Sequence, residues 1–506
     1  MVLKSISDLP RLDEKENHVV FSHHLAKTFM LPLAFRHFRL VPFFYILVSV
    51  SALAADAKPD PVVQKILADI SSVRIEERIR KLVSFETRHT LSQTDSDVRG
   101  IGAARRWIES ELRACSKASG GRLQVSTQEW LEPVSRRVSR PTTLVNIVAT
   151  LPGDSQSSKD RLLIMSGHYD TINSEVSDSV GAAPGANDDA SGTAVSMELA
   201  CVMAKHHFEA TLVFMAVPGE EQGLLGAAHF AREARRLGLN IEAMVTNDIV
   251  GSATGDAGQR DSKRLRLFAD GFDPLLRMMV QSQTGQAPDP SEQALTQVIR
   301  GQMQSIALAG GGADLPTHQL GRHLKTSAER YMPGFMVQLI QRRDRYLRGG
   351  DHIPFLEQGY AAVRFTEPFE NFRHQHQNVR SEGSMVYGDL PGFVEFEYVA
   401  DVARVNAAGL ATLALAPAPP TNVRIDTTQL TNDSTLRWSI SNDPSVVGYR
   451  VVWRESDATA WQFSQDLGRV GQTTIPVSKD NVLFGVQALS ARGHASLAVY
   501  PLPQGR

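Results

Sequence analysis

The sequence predicts an α/β protein with a mostly parallel central sheet flanked by helices, followed by a small C-terminal all-β sandwich. Three observations predict this fold: short continuous apolar runs, helical patterns between several of them, and period-two alternation after a proline-rich stretch. Of the 506 residues, 42% are hydrophobic and 21% are charged, which suits a folded protein of two or three domains. The formal net charge of −2 shows no basic excess, so no nucleic-acid partner is expected.

The amino-terminal region carries a predicted export signal. The basic stretch 36–39 precedes an apolar run, 40–53, that ends among small residues, which is typical of a secretory signal peptide. The run is shorter than the ~20 residues of a typical membrane-spanning helix. We therefore expect no stable membrane insertion, with an uncleaved anchor as the alternative. Met30 lies just before the run and is the expected true start. Residues 1–54 would then be an extension and a signal peptide, and the protein would be exported to a periplasmic or extracellular location.

Residues 55–416 are predicted to form the main domain. Apolar runs favour buried strands and helical spacing favours helices beside them. The strands are predicted at 145–151, 162–165, 212–217, 243–245 and 361–365, and helices at 75–83, 103–112, 193–204 and 224–235. Ser72 is expected to cap the first helix. The less regular span 251–350 is predicted to be an insertion, with a helix at about 335–347, that either borders the site or has no role.

Side chains of the types that bind metals follow these predicted strands. Each of them alone is typical of a surface loop or a helix cap. Together they indicate a metal site, because open α/β sheets place their ligand crevice at the carboxyl ends of the strands. The set comprises His168, Asp170, Asp188, Asp189, Glu220, Glu221, Asp248, His374 and His376.

The residue types in this set suit zinc. Zinc binds imidazole nitrogen and carboxylate oxygen, and two zinc ions about 3.5–4 Å apart need a bridging carboxylate. A metal-binding histidine also needs a partner for its second ring nitrogen, and Asp170 lies two residues from His168. The adjacent Glu220 and Glu221 can supply one proton acceptor and one ligand.

Five segments in order resemble the zinc aminopeptidase family of bacterial leucyl aminopeptidase, over about residues 73–406. They are Gly167-His168-Tyr169-Asp170, Asp188-Asp189-Ala190-Ser191-Gly192, Gly219-Glu220-Glu221-Gln222-Gly223-Leu224-Leu225-Gly226, Asp248 and Gly350-Asp351-His352. The resemblance implies two zinc ions, with Asp188 bridging them, His168 and Asp248 completing one shell, and Glu221 and His374 completing the other. It also implies that Glu220 is the general base, that Asp170 orients His168, and that His352 supports the site without binding metal.

The last ligand departs from the family pattern. The family usually has a histidine followed four residues later by an aspartate, whereas His374 is followed at that distance by Asn378. Spacing favours His374, and His376 remains the alternative.

The resemblance implies a two-zinc metallopeptidase acting on peptide or protein substrates, and an aminopeptidase first. A metallocarboxypeptidase of the same fold and a non-catalytic peptide-binding protein on that scaffold are the alternatives. The full two-metal set argues against a single-zinc glutaminyl cyclase, and the lack of a Gly-x-Ser-x-Gly segment argues against a serine hydrolase. The two cysteines, Cys115 and Cys201, either pair or stay free.

The carboxyl-terminal region after the proline-rich stretch 416–420 is predicted to be a separate domain, at 420–502. Its period-two segments resemble a fibronectin type III domain, a resemblance of fold that implies no activity. Val482 stands where that family often has a tyrosine, so the corresponding corner hydrogen bond is not expected.

Overall fold

The structure, a computed structural model, describes residues 51–52, 59–271 and 311–504. All but two residues of the predicted extension and signal at 1–54, and the stretch 272–310 of the predicted insertion, lie outside the described residues. The helices are α1 (Pro61–Asp69), α2 (Ser72–Val83), α3 (Gly100–Ala118), α4 (Ala190–Met203), α5 (Leu225–Arg236), α6 (Pro316–Tyr331), α7 (His352–Glu357) and α8 (Phe396–Ala414). None of the described helices combines the length and the apolar character that crossing a membrane requires.

The strands fall into one large sheet, a short hairpin and two small sheets. They are β1 (Ser51–Ala52), β2 (Gln124–Glu132), β3 (Thr142–Leu151), β4 (Arg161–His168), β5 (Thr211–Val217), β6 (Asn240–Asn247), β7 (Arg264–Phe268), β8 (Met336–Ile340), β9 (Ala362–Thr366), β10 (Arg380–Glu382), β11 (Met385–Tyr387), β12 (Thr421–Asp426), β13 (Ser434–Ser439), β14 (Val446–Glu455), β15 (Phe463–Leu467), β16 (Gln472–Ile475), β17 (Val482–Ser490) and β18 (Leu502–Gln504).

The large sheet has eight strands in the order β2-β3-β5-β4-β6-β9-β7-β8. Its central strands β5, β4, β6 and β9 run parallel to one another, as do β7 and β8. The pairs β2–β3, β3–β5 and β7–β9 are antiparallel, so the sheet is mixed with a parallel centre. The predicted α/β class is confirmed, and β4, β5 and β6 end at the same edge.

Helices cover both faces of the sheet, which explains the continuous apolar run in the central strand β5. Alternate residues of β5 face different cores: Phe214 packs with α1–α4, α6 and α8, whereas Met215 packs with α5 and α7. All seven residues of β5 are buried. A strand covered on both faces has no polar side, so it shows as a continuous apolar run in the sequence.

The predicted insertion differs from the structure. Its described part supplies β7 and β8, which extend the large sheet at one edge, and the helix predicted at about 335–347 is instead the strand β8. The exposed Met336 and Gln338 alternate with the buried Val337, and this period of two is the signature of a half-buried edge strand. The predicted cap of α2 is also displaced by one residue, because Ser71 accepts the hydrogen bond from the backbone N–H of Arg74.

The carboxyl-terminal strands β12–β18, joined by β1 (Ser51–Ala52), form a sandwich of two four-stranded sheets, β1-β15-β14-β17 and β16-β13-β12-β18. Residues of both sheets, including Leu436, Tyr449 and Phe484, share one apolar core. Val482 is the first residue of β17. The sandwich belongs to the same compact unit as the large sheet, Val50–Arg506.

Candidate metal centre

The candidate ligands come from loops at the carboxyl ends of β4, β5 and β6. His168 is the last residue of β4, the pair Glu220–Glu221 follows β5, and Asp248 follows β6 directly. Asp188 precedes α4, whose amino-terminal cap is Asp189. Since these strands are parallel neighbours, their register brings the four loops together at one edge of the sheet.

Two groups of ligand atoms share the carboxylate of Asp188. In the first group, Nε2 of His168 lies 3.1 Å from Oδ1 of Asp188 and 3.9 Å from Oδ1 of Asp248. In the second, Nε2 of His376 lies 2.9 Å from Oδ2 of Asp188 and 2.9 Å from Oε1 of Glu221. Within each group the ligand atoms lie within 4.8 Å of one another. Because the two oxygens of Asp188 face different histidines, this carboxylate has the placement of a bridge.

The predicted ligand His374 does not lie in this cluster, whereas its alternative, His376, does. The ring of His374 stacks on Phe393, with ring centroids 3.7 Å apart. His376 has a left-handed backbone, with φ of 55°, at the end of a series of turns that directs its ring towards Asp188. Asn378, at the position where the family has aspartate, pairs with Ser174 instead. Both histidines lie in the same irregular segment, and no local pattern in the sequence distinguishes them.

Asp170 connects two of the loops. Its carboxylate accepts hydrogen bonds from the backbone N–H groups of Glu220 and Glu221, both at 3.2 Å, and from the hydroxyl of Thr90 at 3.1 Å. Its Oδ1 also lies 3.4 Å from Nδ1 of His168. A single buried carboxylate thus contacts both the histidine ring and the backbone of the Glu-Glu pair.

Three residues that sequence analysis gave no role support the cluster. Asp389 accepts hydrogen bonds from the backbone N–H groups of Asn187 and Asp188, the latter at 2.7 Å. The fully buried Arg364 contacts Oδ1 of Asp248 at 3.0 Å. Asp351 belongs to a motif segment, yet both of its buried carboxylate oxygens lack a hydrogen-bond partner within the described residues. Asp389 and Arg364 had no sequence signal, because each is more than a hundred residues from its partner.

His352 lies outside both groups of ligand atoms. Its Nε2 lies 2.8 Å from the backbone carbonyl of Arg343, so the ring is engaged away from the cluster.

The carboxylates of the centre repel one another. Burial raises the pKa of Glu220 well above its ordinary range, and the neighbouring Asp248 and Glu221 raise it further. Burial also raises the pKa of Asp351 to about 7, with Asp248 and Asp170 adding to the shift. Against the opposing effect of burial, Asp170 and Asp188 raise the pKa of His168. The shifts of Glu220 and Asp351 come from burial first and from the neighbouring carboxylates second, and a bound cation would offset the carboxylate part.

Two buried ligand atoms without hydrogen bonds among the described residues also indicate that this set of donor atoms fits a metal ion. Nε2 of His168 and Oε1 of Glu221 are buried, and neither makes a hydrogen bond of acceptable geometry with any residue that the structure describes. Buried polar atoms without partners are rare in folded proteins and need an explanation, such as an ion. Nitrogen and carboxylate oxygen atoms arranged in this way are the donors that zinc accepts.

Fold and cluster together define an α/β protein with two groups of metal-type ligand atoms, sharing Asp188, at the carboxyl edge of its sheet. Residues 146–296 match the family model described as Peptidase family M28. A probable zinc metalloprotease of Leptosphaeria maculans is 46% identical over 445 residues, covering 88% of this chain and 98% of that one. A probable zinc metalloprotease of Pyricularia oryzae is 43% identical over 450 residues, covering 88% and 85%. The chain therefore belongs to peptidase family M28, the zinc metalloproteases that these relatives represent.

Among solved structures, LapB from Legionella pneumophila matches with a TM-score of 0.49 and 15% identity, over 72% of this chain and 78% of that one.

Proposed function

We propose that this protein is an exported two-zinc aminopeptidase that removes amino-terminal residues from peptides. The observation that carries the proposal is the carboxylate of Asp188, whose two oxygens face His168 on one side and His376 on the other. One zinc ion would be held by His168, Asp188 and Asp248, and a second by Asp188, Glu221 and His376. When bound, such a metal pair supplies Lewis acidity that polarises a carbonyl and lowers the pKa of water.

Glu220 is the proposed proton carrier. It adjoins Glu221, and within the described part of the chain no hydrogen bond or ion pair engages its carboxylate, so it is free to meet a substrate. Its place beside the proposed ligand Glu221 suits a group that accepts a proton from water and passes it to the leaving amine. The hydrogen bonds from the backbone of Glu220 and Glu221 to Asp170 fix the loop while the Glu220 side chain stays available.

The charge of the centre favours a substrate amine over a substrate carboxylate. Asp351 is buried with both oxygens unpaired within the described residues, so it can accept hydrogen bonds from a bound α-amine. The buried arginines beside the cluster are already engaged. Arg88 donates to the backbone carbonyls of Leu82, Tyr169, Pro184 and Gly185, and Arg364 contacts Asp248 and Asp344. A carboxypeptidase would need a free cation to hold the terminal carboxylate.

One observation keeps the carboxypeptidase as the second candidate. Arg137 is exposed, and its guanidinium donates to the backbone carbonyl of Glu221 at 2.7 Å, which places a cation at the rim of the centre. A substrate carboxylate could pair with it there. The two candidates therefore predict opposite dependence on the termini of the substrate.

The test compares hydrolysis of matched peptides with free or acetylated amino termini and free or amidated carboxyl termini, with zinc and with a chelator. We expect chelator-sensitive cleavage that requires the free amine. Glu220→Gln should reduce kcat by at least about 100-fold while zinc stays bound, because it removes the proton acceptor and no ligand. Glu233→Gln is the matched control, because Glu233 is a half-buried glutamate that pairs with Arg236 on α5, outside both groups of ligand atoms. Cleavage that ignores the amine but requires a free carboxylate, and that Arg137→Ala abolishes, would establish the carboxypeptidase instead.

Export is supported by the predicted signal peptide and by the disulfide that Cys115 forms with Cys201. The bond joins α3 to α4 within the main core. Disulfides form and persist mainly in oxidising compartments, so a bond between the only two cysteines of the chain favours a secreted protein. Its natural substrates would then be extracellular or periplasmic peptides.

A further inference from the structure

The two groups of ligand atoms are supported in different ways. His168 and Asp248 lie at the ends of neighbouring strands, so the hydrogen-bonded register of the sheet fixes their backbone. His376 lies instead in a segment of turns between β9 and β10, and its side chain is 37% exposed. Contacts with neighbouring residues must therefore fix the backbone of His376, as the strand β4 fixes that of His168.

A buried carboxylate in the same segment makes contacts of the required kind. Glu370 is 5% exposed and lies six residues before His376. Its oxygens accept hydrogen bonds from Arg266 at 3.0 Å, Arg345 at 2.9 Å and Arg348 at 2.6 Å. These arginines belong to β7 and to the segment between β8 and α7, so Glu370 joins three parts of the chain. They lower the pKa of Glu370 to about 2 against the opposing effect of burial, so it is ionised at all ordinary pH values.

Gln375 links the buried Glu370 to His376, the next residue in the chain. The amide of Gln375 donates from Nε2 to Glu370 at 3.2 Å and accepts at Oε1 from Arg348, also at 3.2 Å. Both ends of the amide are therefore fixed, and the side chain is buried. Because His376 follows directly, a fixed Gln375 limits the backbone orientations open to the histidine.

One of these arginines, Arg345, also begins a series of ion pairs that reaches the first group of ligand atoms. Arg345 pairs with Asp344 at 3.1 Å, Asp344 with Arg364 at 3.2 Å, and Arg364 with Asp248 at 3.0 Å. At Asp248, this network of ion pairs adds to the order that the strand register already supplies. On the side of His376 no strand or helix carries the ligand, so loss of the network should affect the second group more.

We infer that Glu370 and Gln375 are positioning residues that hold His376 in the second metal group, and that weakening them releases the second metal selectively. This inference rests on the proposed two-metal function. Residues that orient metal ligands through hydrogen bonds typically change metal affinity 10–100-fold when they are replaced. The expected phenotype is one tight zinc, held by the group containing His168, and one weakened zinc.

The experiment measures zinc stoichiometry by elemental analysis after dialysis, and the two dissociation constants by titration against a chromogenic chelator. Gln375→Met keeps the side-chain volume and removes both hydrogen bonds, and Glu370→Gln keeps the shape and removes the charge. Glu382→Gln is the matched control, because Glu382 is an exposed glutamate nearby that pairs with Arg380 on the surface. We expect the two variants to lose the weaker-bound zinc with 10–100-fold lower affinity, and the control to bind like the wild type.

A urea unfolding curve on each metal-free variant separates positioning from a general loss of structure. If Gln375→Met unfolds at the wild-type midpoint and binds both zinc ions with wild-type affinity, the inference is wrong. It is also wrong if both dissociation constants weaken equally in this variant, because the predicted effect is selective. A wild-type protein that binds fewer than two zinc ions would overturn the two-metal function together with this inference.

Discussion

The buried contact between the large-sheet domain and the sandwich gives a prediction about the role of the sandwich. Asp314, in a short 3₁₀ turn before α6, is fully buried and pairs with Arg322 of α6 and with Arg454 of β14, both at 2.8 Å. The side chains of these arginines are 3% and 2% exposed. Trp461 of the sandwich lies beside both guanidinium groups, 5.5 and 5.7 Å from its ring.

Replacing Asp314 with alanine would leave two buried cations without their carboxylate. Removing one member of a buried ion pair typically costs about 3–5 kcal/mol, because the remaining charge stays desolvated. The matched control is Asp466→Ala, which breaks the exposed pair with Arg450 in the same sandwich and should cost less than about 1 kcal/mol. We expect Asp314→Ala to lower the free energy of unfolding by about 3–5 kcal/mol in urea titrations followed by tryptophan fluorescence and by far-UV circular dichroism.

The test compares the loss in free energy of unfolding of the two variants. Equal small losses for Asp314→Ala and Asp466→Ala would refute the reasoning, because they would show that the buried triad contributes no more than a surface pair. A large loss confined to Asp314→Ala would show that the sandwich is an integral part of the peptidase fold. The sandwich would then not be a detachable module for adhesion or solubility.

Three further predictions concern stability and export. Burial lowers the pKa of His323 to about 4 from its ordinary 6.5 while its ring bonds the carbonyl of Gly409. As the pH falls, His323 is therefore protonated in the unfolded chain before it is protonated in the folded protein. The free energy of unfolding should fall by about 2 kcal/mol from pH 7 to pH 5. Urea titrations at both pH values should show a smaller fall for His323→Gln. Replacing Cys115 and Cys201, 86 residues apart, with serine should cost about 4–5 kcal/mol of chain entropy, measured as a lower urea midpoint. The only Asn-x-Ser/Thr triplet of the sequence begins at the exposed Asn432, so a eukaryotic host that secretes the protein by its own leader should add one glycan. An endoglycosidase should remove this glycan, and the Asn432→Gln variant should lack it. Secreted wild-type protein without the glycan would contradict the prediction.

The sheet and three of the ligand positions follow from local patterns in the sequence. The run 212–217 has no polar residue, and the structure shows β5 there, with all its residues buried. Such a run ends where polar residues begin, so the position of Glu220 and Glu221 beyond a strand was predictable from composition alone. The same holds for His168 at the end of β4 and Asp248 after β6.

The edge strands were harder to predict because they lack continuous apolar runs. In β8 the exposed Met336 and the buried Val337 begin an alternation only five residues long, which is too short to separate from a helical pattern. The strand β2 is mostly exposed, since it pairs on one side only. Its residues carry little hydrophobic signal, and no strand was predicted there.

The difference between His374, favoured by spacing, and His376, which lies in the cluster, has the same physical origin as the inference about Glu370. The position of His168 follows from strand register, which the hydrophobic pattern determines over a few neighbouring residues. The position of His376 depends on contacts with residues distant in the sequence, such as Asp188, and on a segment held by arginines from elsewhere in the chain. No window of sequence contains those partners, so spacing alone selected His374. A ligand whose position cannot be predicted locally is one whose order is supplied by tertiary contacts, and those contacts are where replacement should affect metal binding most selectively.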